Sequence, residues 1–222
     1  DVIGEGVENF TVTIASAAGG NFENLVISSA NGAQTTTISD DDTPTIAVSS
    51  PTVGEGGFAI FTVSLSNASA TAVVFTPSLS SGSATVGTDT ATALEYFDGS
   101  SWLAVPVGGV SIAAGSTSVQ LRVATSDDFA AEGDETFALT ATVNSGNTIN
   151  ASASGTATIS DDSDATTVSL TATPSVAEGG SIVYTATLTN AAVTPMTVTL
   201  ASGATITIAA GSTSGSTAVL AP

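Results

Sequence analysis

The sequence predicts an all-β protein, a tandem series of immunoglobulin-like β-sandwiches of about seven antiparallel strands each. Three observations predict it. Thr, Ser and Gly fill most of what Ala, Val, Ile and Leu leave, a mixture that favours strands and turns over helices. Apolar and polar residues alternate with period two in several stretches, and none keeps a convincing helical period. Segments also recur along the chain in the same order, the mark of repeated modules.

From the N-terminus, Phe10, Val12 and Ile14 alternate with polar neighbours, and Ile38 stands just before the run Asp40-Asp41-Asp42. Such alternation makes a half-buried strand. Both features return in the middle of the chain, where Phe137, Leu139 and Ala141 match the first set and Ile159 precedes Asp161-Asp162. Strands are expected there at 46–48, 60–65, 73–75, 94–97, 119–123, 137–143 and 156–159, separated by Gly, Asn, Asp and Ser turns. Tyr96-Phe97-Asp98-Gly99-Ser100-Ser101-Trp102 reads as a hairpin turning at Asp-Gly and packed on the core. Arg122 is expected on the outer face of its strand, beside an acid. Pro51-Thr-Val-Gly-Glu-Gly-Gly returns as Pro174-Ser-Val-Ala-Glu-Gly-Gly, 123 residues later, and Phe61, Val63 and Leu65 return as Tyr184, Ala186 and Leu188. Ile112-Ala-Ala-Gly-Ser-Thr-Ser returns as Ile208-Ala-Ala-Gly-Ser-Thr-Ser after 96 residues, so the middle repeat carries 27 residues that the last one lacks.

Residues 1–44 are therefore expected to be the C-terminal half of a sandwich repeat, 45–164 a complete sandwich, and 165–222 the N-terminal half of another. Together the two halves have the length of one small β domain. The 165–222 half of one copy could be completed by the 1–44 half of a neighbouring copy. The expected partners are thus neighbouring repeats of the same or identical chains, in a head-to-tail array or fibre.

Charge excludes several functions. The 222 residues hold 20 acids, one base (Arg122) and no His, for a net charge of −19. Nucleic acid is excluded, because neutralising phosphates needs Lys and Arg. Anionic membrane surfaces are excluded on the same ground, and no apolar run is long enough for membrane insertion as a helix. Without Cys there are no disulfides and no thiolate metal sites. Without His, Lys or Cys no base stands beside a nucleophile, so no enzyme activity is expected.

The acids fall in matching clusters. Asp127-Asp-Phe-Ala-Ala-Glu-Gly-Asp-Glu-Thr-Phe leads into one strand, and Ile159-Ser-Asp-Asp ends the next. Asp1-Val-Ile-Gly-Glu-Gly-Val-Glu-Asn-Phe and Ile38-Ser-Asp-Asp-Asp repeat the arrangement. Packed carboxylates without basic partners repel one another unless a hard cation with many oxygen ligands binds, and Ca²⁺ takes roughly 6–8.

These residues resemble the Calx-β domain, known from sodium–calcium exchangers and large surface proteins. The resemblance rests on Glu55 in Gly-Glu-Gly-Gly, the Asp-Asp-x-x-x-Glu-x-x-Glu-x-Phe stretch from Asp127, and Ile-Ser-Asp-Asp. It covers 45–164. The outer halves resemble extender repeats of giant bacterial biofilm adhesins, through Gly19-Gly-Asn-Phe-Glu-Asn-Leu and Ala177-Glu-Gly-Gly-Ser-Ile-Val-Tyr-Thr-Ala-Thr-Leu-Thr-Asn. Calx-β carboxylates gather at one end of the sandwich and bind Ca²⁺. By matching position the resemblance implies Glu55, Asp89, Asp127, Asp128, Glu132, Glu135, Asp161 and Asp162 as ligands, with the Ala130 carbonyl. Ser163 stands where family members often carry a third Asp, which weakens or removes one ion position. Asp134 is expected to point outward. In the first half-repeat Asp1, Glu5, Glu8, Asp40, Asp41 and Asp42 match, and Glu178 is their counterpart in the last.

The function expected from these readings is a calcium-stiffened extender segment of a secreted bacterial surface adhesin or matrix fibre, outside the cell. Alternatives are a carbohydrate- or cell-binding module, for which Trp102 and Tyr96 would form the platform, and a calcium sensor. The resemblance also implies type I secretion. The sequons at Asn9, Asn67 and Asn150 arise readily by chance in so Ser- and Thr-rich a chain.

Overall fold

Alternating side chains decide which way each strand faces. The structure, a computed structural model, describes residues 2–130, 133–162 and 165–221. It divides into two compact units, the first carrying every strand before residue 161 and the second every strand after it.

The first unit opens with a hairpin, β1 (Glu8–Thr13) and β2 (Ala33–Ile38). Its strands pair antiparallel with Glu8 opposite Ile38. The twelve hairpin residues are all exposed. Just upstream, the Gly4 N–H donates to the Ala68 carbonyl at 2.9 Å and the Gly4 carbonyl accepts from the Ala70 N–H at 2.9 Å. The Asn67 amide donates to the Asp42 carbonyl. The passage into the sandwich is thus already held by protein hydrogen bonds, a feature the sequence did not suggest.

A sandwich follows, built from β3 (Ile46–Val48), β4 (Thr52–Gly54), β5 (Phe58–Leu65), β6 (Val73–Ser81), β7 (Glu95–Phe97), β8 (Trp102–Ala104), β9 (Val110–Ile112), β10 (Ser118–Ala124), β11 (Glu135–Ser145) and β12 (Ser152–Ser160). One sheet runs β3-β5-β10-β7-β8 and the other β4-β12-β11-β6-β9. The inward parity of each strand is apolar: Phe61 and Val63 on β5, Leu121 and Val123 on β10, Phe75 on β6, and Phe137 and Leu139 on β11. Phe61 and Phe137 meet edge to face across the sheets, with centroids 5.8 Å apart at 74°. Full burial of each such side chain stabilises by about 1.5–3 kcal/mol. Each of the seven expected strands has a counterpart; β8 is the second arm of the expected hairpin, and β4 and β9 are additional. The β7–β8 hairpin turns at Asp98 and Gly99, as Asp-Gly predicts.

The hairpin's packing differs from expectation. Tyr96 packs on the core. Trp102 lies half-buried on the sheet's outer face, where the Arg122 guanidinium sits 4.5 Å from its ring and 4.2 Å from that of Phe58. Arg122 Nε donates to Glu95 Oε2 at 2.7 Å. Neighbouring strands alternate in step, so Glu95, Phe97, Trp102 and Arg122 share that outer face.

The second unit holds β13 (Val168–Ala172), β14 (Ser181–Leu188), β15 (Met196–Thr199), β16 (Thr205–Ile208) and β17 (Ser214–Leu220). These form a three-stranded sheet, β13-β14-β17, and a two-stranded sheet, β15-β16. Its small core is Ala186, Leu188, Ile206 and Ile208. Among the described residues no helix is long and apolar enough to cross a membrane.

Candidate metal centre

One pole of the sandwich gathers the acids of three separated segments. Glu55 stands in the turn between β4 and β5, which Gly56 closes with a left-handed φ of 65°. The Glu55 N–H donates to the Ser160 carbonyl at 3.3 Å, and the Gly56 N–H to the Ser126 carbonyl at 3.0 Å. The ends of β10 and β12 are therefore laced to the Glu55 turn. Asp127 is the residue after Ser126, and Asp161 and Asp162 come directly after Ser160. Covalent reach alone carries their carboxylates to this pole. A carboxylate oxygen from each of Glu55, Asp127 and Asp162 lies within 4.8 Å of the others. Glu55 is half-buried, with Oε2 shut off from solvent, while Asp127 and Asp162 are exposed.

The other candidates are placed as follows. The Asp89 carboxylate accepts the Thr85 N–H at 2.6 Å, and its carbonyl accepts the Ser126 N–H at 2.9 Å. Asp128 Oδ1 accepts the Ala130 N–H at 2.7 Å. Glu135 opens β11 opposite Ile159, and Asp134 is exposed, as its parity requires. Asp89, Asp128, Glu135 and Asp161 are not members of the close trio. Glu132 and Asp1, together with Ser163, lie outside the described residues. Glu178 is exposed in the turn before β14.

The first half-repeat makes its own hollow of about 200 Å³, lined by Glu5, Glu8, Asp40, Asp41 and Asp42. The Asp40 carboxylate is already engaged there. The N–H of Asp42, chiefly, and those of Gly6 and Glu5 with the Thr43 hydroxyl hold it below the ordinary carboxylate value, against some loss of solvation.

Sequence reasoning missed what braces the pole. Thr125 is buried at the end of β10. Its hydroxyl donates to the Gly54 carbonyl at 3.1 Å and accepts the Gly57 N–H at 3.0 Å. The Ser126 hydroxyl donates to the Thr88 carbonyl. The readable signal was a Thr-Ser pair closing an apolar strand immediately before an acidic run.

Comparison with known proteins adds one family match. Residues 164–222 match the LapA domain. That family is associated with biofilm adhesins, and the match takes in the second unit, about a quarter of the chain. No curated protein matches. Among solved structures, the apo-form Calx CBD1 domain is 20% identical over 54% of this chain and 99% of that one, with a TM-score of 0.38. Calx CBD12 is 18% identical over 79% and 76%, also at 0.38. The E. coli chaperone DraB is 11% identical over 81% and 87%, at 0.33. Likenesses of this size carry no weight, and the all-β sandwich fold rests on the strand order and register described above.

Proposed function

We propose that this chain is a calcium-stiffened extender segment of a secreted bacterial surface adhesin or extracellular matrix fibre. The observation that carries the reading is the convergence of Glu55, Asp127 and Asp162 at one pole of a chain with 20 acids and one base. Three carboxylates within 4.8 Å repel one another, and a divalent cation reverses that repulsion. Ca²⁺ prefers roughly 6–8 oxygens. Asp128, Glu132, Glu135, Asp161, the Ala130 carbonyl and water would complete the shell. The ion would tie the end of β12, where the chain leaves the sandwich, to the loops beside it. The LapA match supports the adhesin setting.

The Trp102 surface is less suited to stacking a sugar, because the Arg122 guanidinium occupies one face of the ring. Thermal unfolding in Ca²⁺, in EDTA and in Mg²⁺ tests the proposal. Extracellular modules bind Ca²⁺ with Kd roughly 10⁻⁴–10⁻³ M, so 10 mM Ca²⁺ should raise Tm by on the order of 5–15 °C. An unchanged Tm would remove calcium from the account and leave the acids as a solubility device.

A further inference from the structure

The insertion that sets the middle repeat apart builds a groove. β15 and β16 pair as β6 and β9 do, Met196 with Ile208 and Val73 with Ile112. Residues 200–204 join β15 to β16, whereas residues 82–109 lie between β6 and β9 and hold β7 and β8. The extra residues of the middle repeat are therefore the β7–β8 hairpin and its flanks. β7 pairs with β10 at Tyr96 and Glu95, opposite Leu121 and Arg122. It then parts from β10 to turn at Asp98 and Gly99, while Ser118, Val119 and Gln120 pair with β5 on their other side. The parting opens a groove of about 470 Å³, within the roughly 300–1,000 Å³ of small-molecule sites.

Its lining has the chemistry of a polar ligand site. Tyr96, Phe97, Asp98, Ser111, Ser118 and Gln120 line it. The Tyr96 hydroxyl, the Gln120 amide and the hydroxyls of Ser111 and Ser118 make no hydrogen bond among the described residues. Each of them can both donate and accept. Asp98 is the one charged group in the lining. Its Oδ1 accepts the N–H groups of Ser100 and Ser101 at 2.8 Å each and the Ser100 hydroxyl at 2.9 Å. These bonds, that of the Ser101 N–H first, hold the carboxyl below its ordinary value. It therefore stays ionised, and Oδ2 is left to accept. Phe97 supplies an apolar wall. Its ring lies 5.3 Å from that of Trp102, at 49°, and Trp102 is held in turn by Arg122. The wall is thus fixed before any ligand arrives. The last repeat keeps part of the floor and lacks the wall. Ala113, Ser116 and Ser118 return as Ala209, Ser212 and Ser214, but Gln120 becomes Ser216, and Tyr96 and Phe97 have no counterpart.

We propose that this groove is a binding site for a neutral saccharide. A sugar ring carries hydroxyls that donate and accept, set around a face of weakly positive C–H groups. The hydroxyls match the Gln120 amide, the Tyr96, Ser111 and Ser118 hydroxyls and the open Asp98 oxygen. The C–H face matches the negative face of the Phe97 ring. A uronate or sulfated sugar is disfavoured, because no cation lines the groove and Asp98 would repel it. Trp102 is a positioning residue here: it holds Phe97 and makes no contact of its own with the sugar. None of Glu55, Asp127 and Asp162 lines the groove, so the site stands independently of the calcium reading. An extender with such a groove would also grip polysaccharide lying beside it.

The test is a set of amide NMR titrations of the full chain in EDTA, where calcium plays no part. The neutral probes are cellotriose, maltotriose, lactose and acetylated chitotriose. Trigalacturonate and a blocked Thr-Val repeat peptide are the contrasting probes. Each is taken to roughly 50 mM, which reaches weak sites. At least one neutral sugar should shift the amides of residues 96–99 and 116–120 saturably and leave those of Glu55 and Ser160 unmoved. Phe97→Ala and Gln120→Ala should each weaken that binding about fivefold or more. Gln120 is exposed and its amide has no partner to lose, so Gln120→Ala should melt as the wild type does. It keeps the test decisive if Phe97→Ala loosens the hairpin. No shift with any of the neutral sugars, shifts only outside the groove, tighter binding of trigalacturonate or the peptide, or Gln120→Ala binding as well as the wild type would each overturn the proposal.

Discussion

Phe10 and Phe137 hold the same place in the repeat and have opposite surroundings. Phe137 is sealed between two sheets against Phe61, whereas Phe10 projects from a bare hairpin. Phe137→Ala should cost about 3–5 kcal/mol, because it leaves a cavity in a closed core. Phe10→Ala should stay within about 0.5 kcal/mol in dilute, unassociated protein. Denaturant midpoints of the two variants decide the matter, and equal losses would mean that the hairpin is covered in the monomer. Asp40 shows how much of a residue's state is written outside its own sequence position. Its carboxylate is held below the ordinary value by the Asp42 N–H first, and then by Gly6, Thr43 and Glu5. A depressed folded value means that this contribution is present above the unfolded value of about 3.9 and is lost as pH falls through the lower folded one. A carboxyl-carbon NMR titration should therefore place the Asp40 midpoint below that of an Asp in a model peptide. A midpoint at or above it would show that these hydrogen bonds do not form in solution. The ligand candidates were legible in the sequence because carboxylates repeat at matching positions. Thr125 was missed, because its one signal, the Thr-Ser pair that closes β10 before the acidic run, does not by itself tell a buried Thr from the many exposed ones.

At the level of elements, length decided what could be read. The β5, β10 and β11 strands span several periods of apolar alternation and were legible directly. β4 and β9 have three residues each, too few to show a period, and exist because neighbours supply their partners. The outward-facing Trp102 was misread for a related reason. A hairpin alternates its faces, so Tyr96 and Trp102 could not both enter the core, and the sequence did not say which one Arg122 would cover. Gly155 on β12 tests how tightly the sheets close at this end. A Cβ there would lie 2.1 Å from the Ser49 carbonyl oxygen, which is backbone and cannot swing aside. Gly155→Ala should cost about 1–3 kcal/mol through the forced shift, despite Ala's smaller loss of chain entropy. A gain in melting temperature would show that β12 stands further from residues 49–50 than described.

For the whole molecule, the proposed ion would oppose the effect of charge, and that opposition gives the sharpest test of the calcium reading. Net charge of −19 favours solubility and strains the compact state. Physiological salt screens over about 8 Å, so it leaves oxygens within 4.8 Å of one another largely unscreened. The repulsion at the Glu55 pole therefore persists in ordinary buffer and is relieved by a coordinated ion or by removing charge. These two remedies are distinguishable. Asp127→Asn and Asp162→Asn each delete one charge with little change of shape. In EDTA both variants should melt at or above the wild-type temperature, because one repelling charge is gone. In millimolar Ca²⁺ both should melt below it, because a ligand is gone. NaCl at matched ionic strength should not reproduce the Ca²⁺ effect on the wild type. The crossing of the two curves is the signature of a site that folding strains and metal relieves. If the variants melt below wild type in EDTA as well, the carboxylates are structural hydrogen-bond acceptors. If Ca²⁺ and NaCl act alike, the acids form a screened surface, and the passage into the sandwich is held by the protein contacts at Gly4 and Asn67 alone.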